Sequence, residues 1–164
     1  PLATMQIVTP RTPAQFDAYY ELRWRVLRAP WQQPRGSERD EHEASATHRM
    51  IFDDTMQVRA VGRLHSLDAD TGQLRYMAVD PDYRGQGLGK QMLLALEEAA
   101  RAQGLHNLVL HARESAVEFY QHHGYELLKQ SHTLFGEIVH YEMHKILNPS
   151  SEASPRRRED QKHP

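Results

Sequence analysis

The sequence predicts an α/β fold in which a mixed, mostly antiparallel β-sheet is flanked by helices. Segments with strand character outnumber helical ones, and a strand, a glycine-rich turn and a helix follow one another mid-chain. The 164 residues, 39% of them hydrophobic, suffice for one domain with a core. We expect this domain at residues 5–147, an N-terminal extension or added start at 1–4, and a disordered polar tail at 148–164.

The first helix is predicted from its start signals. Thr12, Pro13 and Gln15 supply an N-cap, a proline at the first helical position and a capping-box partner. Residues 28–48 are polar, charged and rich in helix breakers, which predicts a long loop or a short irregular helix. Alternating or continuous apolar runs predict strands at residues 5–9, 48–54, 57–67, 73–79, 107–112, 125–130 and 138–146.

A glycine-rich turn opens the second helix in "VDPDYRGQGLGKQMLLALEEAARAQG", residues 79–104. From Leu88, apolar residues recur at spacings of four, four and three, as on one face of a helix. Gly85, Gly87 and Gly89 lie at its start. Because the first N–H groups of a helix lack partners and carry the positive end of its dipole, a bare backbone lets a phosphate approach. The alternative is a turn that merely needs positive φ.

Two common nucleotide motifs do not fit this turn. A P-loop would need glycine at position 84 and serine or threonine at 91, where the chain has Arg84 and Gln91. The dinucleotide fingerprint would need glycine at 90 or 92, where Lys90 and Met92 stand.

The pattern R-G-x-G-x-G instead resembles the [QR]-x-x-G-x-[GA] signature of the GNAT superfamily of acyl-CoA-dependent N-acetyltransferases, with Arg84, Gly87 and Gly89 on its positions. A weaker likeness to an ElaA-like branch lies in "LRWRVL", "ERDEHE" and "IVHYEM". A second segment, "LHARESAVEFYQHHGYELL", resembles the superfamily's A-x-x-F-Y-x-x-x-G-[FY] motif. Its matching residues are Ala116, Phe119, Tyr120, Gly124 and Tyr125. Ser115 and Glu118 form an S-x-x-E capping box, which independently predicts a helix start.

The resemblance implies that acetyl-CoA (CoA) is the acyl donor, entering where strand 73–79 splays from strand 107–112. It implies that the CoA pyrophosphate binds the glycine turn and that the pantetheine arm pairs with the strand before it. Arg113, where many members have asparagine, could reach CoA oxygens or pair at the surface with Glu114 or Glu118. The candidate cofactor-binding residues are Met77, Ala78, Val79, Arg84, Gly85, Gln86, Gly87, Leu88, Gly89, Lys90 and Arg113.

Tyr120 is the candidate general acid, since the resemblance places a tyrosine here beside the CoA sulfur; a packed tyrosine is the alternative. Some relatives place a glutamate base where this chain has Gln73, whose amide cannot accept a proton. The candidate bases are His65, His140, Asp40, Glu41 and Glu43, or a water chain. We expect no metal, since His140 and His144 lack a third ligand.

The composition excludes several partner classes. A net charge of −2 gives no electrostatic footprint for nucleic acid, and no apolar run is long enough to span a membrane. The chain has no cysteine, and no secretion-type segment is evident, so the cytoplasm is the default expectation. A homodimer is an open expectation, because dimers are frequent in this fold.

The predicted function is an acetyl-CoA-dependent N-acetyltransferase acting on a primary amine of a small molecule, peptide or protein. The alternative is a non-catalytic acyl-CoA-binding sensor on the same fold. The acidic segment 38–43 would suit a cationic acceptor, although such a segment is often only solvated.

Overall fold

The computed structural model describes residues 5–148 and contains an α/β arrangement in that range. Its α-helices are α1 (Pro13–Leu27), α2 (Leu88–Ala102) and α3 (Val117–His122). Its strands are β1 (Gln6–Val8), β2 (Thr47–Phe52), β3 (Val58–Ser66), β4 (Thr71–Val79), β5 (Asn107–Arg113), β6 (Glu126–Leu134) and β7 (Ile138–Ile146). Short 3₁₀ turns cover Ala29–Trp31, Pro81–Tyr83 and Glu114–Ala116.

The strands form a single sheet in the order β1-β2-β3-β4-β5-β7-β6. Neighbours are antiparallel except β4 and β5, which run parallel. The predicted fold class is therefore confirmed. β4 and β5 pair only from Thr71 opposite Asn107 to Gln73 opposite Val109. Beyond Gln73 the two strands separate and leave a cleft in the middle of the sheet, where the sequence predicted a splay.

Helices α1 and α2 pack on opposite faces of the sheet. The fully buried Leu93, Leu96 and Ala100 of α2 belong to one core cluster, and Tyr19 and Leu22 of α1 belong to a second. The contact between α2 and β3 is close, since a Cβ on Gly62 would stand 2.8 Å from Leu96 Cδ1. Each buried leucine contributes about 1.5–3 kcal/mol to folding. The two cores hold the divided centre of the sheet in place.

The two predicted capping boxes have different outcomes. Thr12 and Gln15 form theirs, with the Gln15 N–H donating to Thr12 Oγ1 at 3.1 Å. The box at Ser115 and Glu118 was wrong, because Ala116 is the N-cap of α3 and no side chain caps it. The chain leaves β5 directly into a 3₁₀ turn, so Ser115 is already inside a turn and lacks the extended backbone of an N-cap.

Within residues 5–148, no helix is both long and apolar enough to cross a membrane. The expectations for residues 1–4 and for the tail from 149 onward lie outside the described residues.

Candidate active site

The glycine turn leaves the start of α2 open. Gly87 is the N-cap of α2 with a φ of 82°, Gly85 has a φ of 79°, and nothing lies within 4 Å of where either Cβ would stand. The first helical hydrogen bond is made by Gln91, which donates to the Gly87 carbonyl at 3.0 Å. The N–H groups of residues 88–90 find no acceptor in the described chain. The turn therefore needs glycine for its backbone and also exposes donors that suit a phosphate.

The other residues of the turn have different roles. Gly89 lies inside α2, and a Cβ there would stand 3.4 Å from Phe119 Cζ, so the small residue lets α3 approach. The Leu88 side chain is 2% exposed and belongs to the core, which leaves only its N–H for a ligand. Arg84, Gln86 and Lys90 are exposed. Their side chains are free to meet phosphate oxygens from solvent.

A β-bulge interrupts β4 beside the cleft. Arg75 pairs with Arg63 and Ala78 with Val61, so Tyr76 and Met77 together face a single residue of β3. Tyr76 has a φ of 58°, a left-handed backbone that costs a non-glycine residue about 1–3 kcal/mol. Such bulges are frequent next to active sites, where they redirect the strand. Beyond Gln73, no strand within residues 5–148 pairs with the edge of β4 that faces β5, so the backbone at residues 77–79 is available to an extended ligand.

The ring of Tyr76 is a shared platform for arginines. The ring centroid lies 4.2 Å from the Cζ atom of Arg23, 5.6 Å from that of Arg28, 4.9 Å from that of Arg63 and 4.5 Å from that of Arg75. Cation–π contacts of this kind stabilise a guanidinium by about 0.5–2 kcal/mol. The bulge thus gathers positive charge at the cleft.

A cavity of about 390 Å³ lies in the cleft between β4 and β5. Within residues 5–148, no aspartate or glutamate lines it. Its polar and charged lining residues are Arg28, Gln73, Arg75, Tyr76, His111, Arg113, Tyr120, His132 and His140. Two of the predicted catalytic residues, Tyr120 and His140, therefore meet in one space, together with Met77 and Arg113 of the predicted cofactor set.

Tyr120 is held in its protonated form. Its hydroxyl lies 3.5 Å from Met77 Sδ, a weak acceptor, and its ring packs edge-on against Tyr125 at 5.7 Å. Burial raises the pKa of Tyr120 to about 12. The hydroxyl therefore keeps its hydrogen at neutral pH and directs it toward the bulge in β4.

His140 is held in the opposite state. Its Nδ1 lies 2.9 Å from the Ile138 carbonyl oxygen, which can only accept, so Nδ1 donates and Nε2 carries the free lone pair. The side chain is buried and stacks on His132, with ring centroids 4.4 Å apart. Burial lowers the pKa of His140, and the positive charges of neighbouring histidines and Arg113 add to this effect. The ring is therefore neutral at pH 7 and able to accept a proton.

Comparison with known proteins identifies the family. The sequence model of the Acetyltransferase (GNAT) family matches residues 16–125. The chain belongs to this GNAT family. It is 34% identical over 129 residues to the uncharacterized N-acetyltransferase YjcF of Bacillus subtilis, across 79% of this chain and 90% of the relative. The N-acetyltransferase class predicted from sequence is confirmed by this family membership and by its relatives.

Solved GNAT structures share the fold. Escherichia coli ElaA superposes with a TM-score of 0.74 at 19% identity, covering 88% of this chain and 99% of that chain. A GNAT family acetyltransferase from Elizabethkingia anophelis with acetyl-CoA bound superposes with a TM-score of 0.68 at 17% identity, covering 88% and 98%. These superpositions show that the chain shares its fold with solved GNAT proteins.

His65 lies apart from the cavity of this GNAT enzyme. Its Nδ1 accepts a hydrogen bond from Arg63 Nη2 at 3.1 Å, so the neutral ring carries its hydrogen on Nε2 and has no lone pair left. The ring stacks on His42, with centroids 4.2 Å apart, and does not line the cavity. The structure thus separates the two histidines that sequence reasoning had weighed equally.

The acidic segment of this GNAT enzyme folds inward onto arginines. Asp40 accepts from Arg63 at 2.6 and 3.0 Å and from Arg75 at 2.8 Å, while Glu43 pairs with Arg23 at 2.9 Å and with Arg63 at 2.8 Å. Although burial opposes it, hydrogen bonds from Arg63 hold the pKa of Asp40 far below its usual range. A carboxylate with so low a pKa is a very weak base. The ion pairs also leave little of this segment's charge for a cationic acceptor.

Glu41 remains outside this network. Its side chain is 80% exposed and lies 3.4 Å from His42 Nε2 at the surface. It does not line the cavity. Within residues 5–148, no three histidine, aspartate or glutamate side chains are placed to hold a metal ion.

Arg28 and Arg113 line the cavity without a carboxylate partner in residues 5–148. Arg28 is 7% exposed and donates to the Ser37 carbonyl at 3.0 Å and to the Leu27 carbonyl at 3.1 Å. The Tyr76 hydroxyl also interacts with its guanidinium, and none of these partners is a carboxylate. Arg113 makes no side-chain hydrogen bond to a described residue, so its predicted surface pairing with glutamate is not formed. Burial lowers the pKa of both arginines. Sequence reasoning missed Arg28, because nothing in the chain near it marks it as buried.

Proposed function

We propose that this protein transfers the acetyl group of acetyl-CoA to a primary amine by direct attack within a ternary complex. One observation carries the proposal: a protonated tyrosine and an unprotonated histidine, Tyr120 and His140, line the same cavity in the split sheet. Acyl transfer to an amine needs one group that accepts a proton and one that supplies a proton. The cavity contains both.

The residues of the cleft fit acetyl-CoA on chemical grounds. The free N–H groups at residues 88–90 would hold the pyrophosphate, with Arg84 and Lys90 adding charge. The unpaired edge of β4 at residues 77–79 would hold the pantetheine arm, and an N–H there would polarise the thioester carbonyl. When bound, acetyl-CoA supplies the acetyl group as an activated thioester. One solved neighbour with acetyl-CoA bound and another complexed with coenzyme A support this assignment.

His140 prepares the acceptor in this scheme. Amines are largely protonated at neutral pH and must lose a proton to attack. His140 Nε2 accepts that proton, directly or through a water molecule, while the hydrogen bond from Nδ1 to the Ile138 carbonyl fixes the ring. The stacked His132 lines the same cavity and offers the proton a way onward.

Tyr120 completes the transfer. Among the described residues its hydroxyl has only a thioether sulfur as hydrogen-bond partner, so donating the proton to a leaving sulfur sacrifices no strong hydrogen bond. A pKa of about 12 keeps the group protonated, which suits an acid and not a base.

The experiment is a panel of primary amines with acetyl-CoA, followed by detection of released thiol and by mass spectrometry of the product. We expect a product heavier by one acetyl group, lost in His140→Gln and Tyr120→Phe but kept in His65→Gln. A non-catalytic sensor would bind acetyl-CoA without forming any product. That result would contradict the proposal. The homodimer and the cytoplasmic location stay predictions.

A further inference from the structure

We propose that the acceptor amine carries an anionic group, a carboxylate or a phosphate, which binds to Arg28 with support from Arg113. This inference rests on the proposed transfer function and names the substrate class of the same cavity. It replaces the cationic acceptor that the acidic segment had suggested from sequence.

The first argument is the contrast among buried arginines. Arg23 and Arg63 are fully buried, and each is paired with carboxylates of the acidic segment. A buried charge without a counter-ion is costly, and this protein avoids that cost at both positions. Arg28 is 7% exposed and has no carboxylate within ion-pair distance in the described residues. An anionic group on a ligand would supply the counter-ion that Arg28 lacks in the described residues.

The second argument is the geometry at Arg28. Its Nε and Nη1 are fixed by the carbonyls of Ser37 and Leu27, and apart from the Tyr76 hydroxyl no other side chain in residues 5–148 bonds to the guanidinium. The rings of Tyr76 and Phe135 flank the guanidinium, each with its centroid 5.6 Å from Cζ. The guanidinium is therefore held at the cavity wall by neutral partners, and no carboxylate in residues 5–148 engages its charge. A preorganised donor of this kind is typical of a specificity site.

The third argument is the charge of the cavity as a whole. Among residues 5–148 its lining contains Arg28, Arg75 and Arg113 and no carboxylate, and of these three arginines Arg75 alone is ion-paired, with Asp40 at 2.8 Å. Burial lowers the pKa of Arg113 and the positive charge of Arg28 lowers it further, so the two side chains, which line the same cavity, repel each other. A cationic acceptor would add to this repulsion, whereas an anionic group relieves it. At about 390 Å³ the cavity suits a small molecule or the end of a longer one.

The anion could instead belong to CoA, and Arg113 leaves this open because the charge of Arg84 near the glycine turn also acts on it. The decisive residue is therefore Arg28. If Arg28 binds the acceptor, its loss weakens acceptor binding and leaves CoA binding intact. If it binds CoA, both are weakened together.

The experiment is calorimetric titration of CoA-saturated protein with two pairs of matched amines: glucosamine 6-phosphate against glucosamine, and L-leucine against L-leucinamide. In at least one pair, we expect the amine that carries the phosphate or carboxylate to bind about 10- to 100-fold more tightly than the amine that lacks it, as a charge-assisted contact provides. Which pair shows the difference separates a phosphate from a carboxylate. In Arg28→Gln that preference should disappear, while CoA affinity stays within about twofold.

Arg25→Gln is the matched control, because it removes one arginine charge from the exposed face of α1, close to Arg28 in the chain but outside the cavity. Arg28→Lys keeps the positive charge but loses the paired N–H donors of the guanidinium, so it should retain part of the preference for the anionic amine. Such partial retention shows that the loss in Arg28→Gln is not caused by unfolding. Equal affinity within both pairs, absence of binding by all four amines, or a parallel loss of CoA affinity in Arg28→Gln would each overturn the inference. Anion-selective binding without acetyl transfer would keep it and refute the proposed function instead.

Discussion

Replacing Tyr120 by phenylalanine should separate catalysis from stability. The substitution removes one hydroxyl whose partner is Met77 Sδ at 3.5 Å. Since a good hydrogen bond contributes about 1 kcal/mol and sulfur is a weak acceptor, the loss in free energy of unfolding should stay below about 1 kcal/mol. The loss of a positioned general acid lowers turnover by about 100- to 10,000-fold, which corresponds to about 2.7–5.5 kcal/mol in activation free energy.

The assay measures melting temperature, acetyl-CoA affinity and turnover on one preparation of Tyr120→Phe. We expect the melting temperature and the acetyl-CoA affinity to stay close to those of the unaltered protein, while turnover falls by the factor given above. Turnover within a factor of about three of the original would remove Tyr120 from the mechanism. A tyrosine whose ring only packs against its neighbours would give that result, because phenylalanine keeps the ring.

Three further predictions concern other parts of the site and its support. Gly87→Ala and its control Gly104→Ala place alanine at nearly equal positive φ, 82° and 78°, in open space. Both should lower the melting temperature, but only Gly87→Ala should lose the stabilisation that CoA gives, as measured by thermal shift. Turnover should fall as pH drops through the pKa of His140, which burial places below the ordinary value of 6.5, because the base works only when unprotonated; a pH–rate profile of His140→Gln that keeps this acid limb would contradict the assignment. Tyr125→Phe removes a 2.8 Å hydrogen bond to the buried Glu97 and should cost about 1.5–3 kcal/mol of unfolding free energy in denaturant titration, with activity per folded molecule unchanged.

Much of the fold followed from local patterns in the sequence. The stripe from Leu88 and the glycines before it predicted α2 and its open start, since both depend on residues within a few positions of one another. The splay of the sheet was also predicted, from the order of strands and the resemblance to a known family. The capping box at Ser115 failed because its pattern ignores where the preceding strand ends.

The distribution of charge could not be predicted, because it depends on contacts between distant residues. Asp40 and Glu43 looked like a free acidic surface, yet each pairs with Arg63, which is 23 and 20 positions away. Arg28 looked like an ordinary surface residue at the end of a helix. Only the assembled sheet shows that the carboxylates are neutralised and that Arg28 is not.

The ring of Tyr76 affects the long-range electrostatic attraction between the cleft and approaching ligands. A carboxylate in its place would hold the four surrounding guanidinium groups by cancelling charge, whereas an aromatic ring holds them through its quadrupole and carries no net charge. Asp40 and Glu43 pair with Arg23, Arg63 and Arg75, whereas Arg28 has no carboxylate partner in residues 5–148, so we expect a positive potential at the cleft. Such a field acts over about 8–10 Å at moderate ionic strength. Anions should therefore be drawn toward the cleft by diffusion in this field, and their association rate should fall steeply as salt is added.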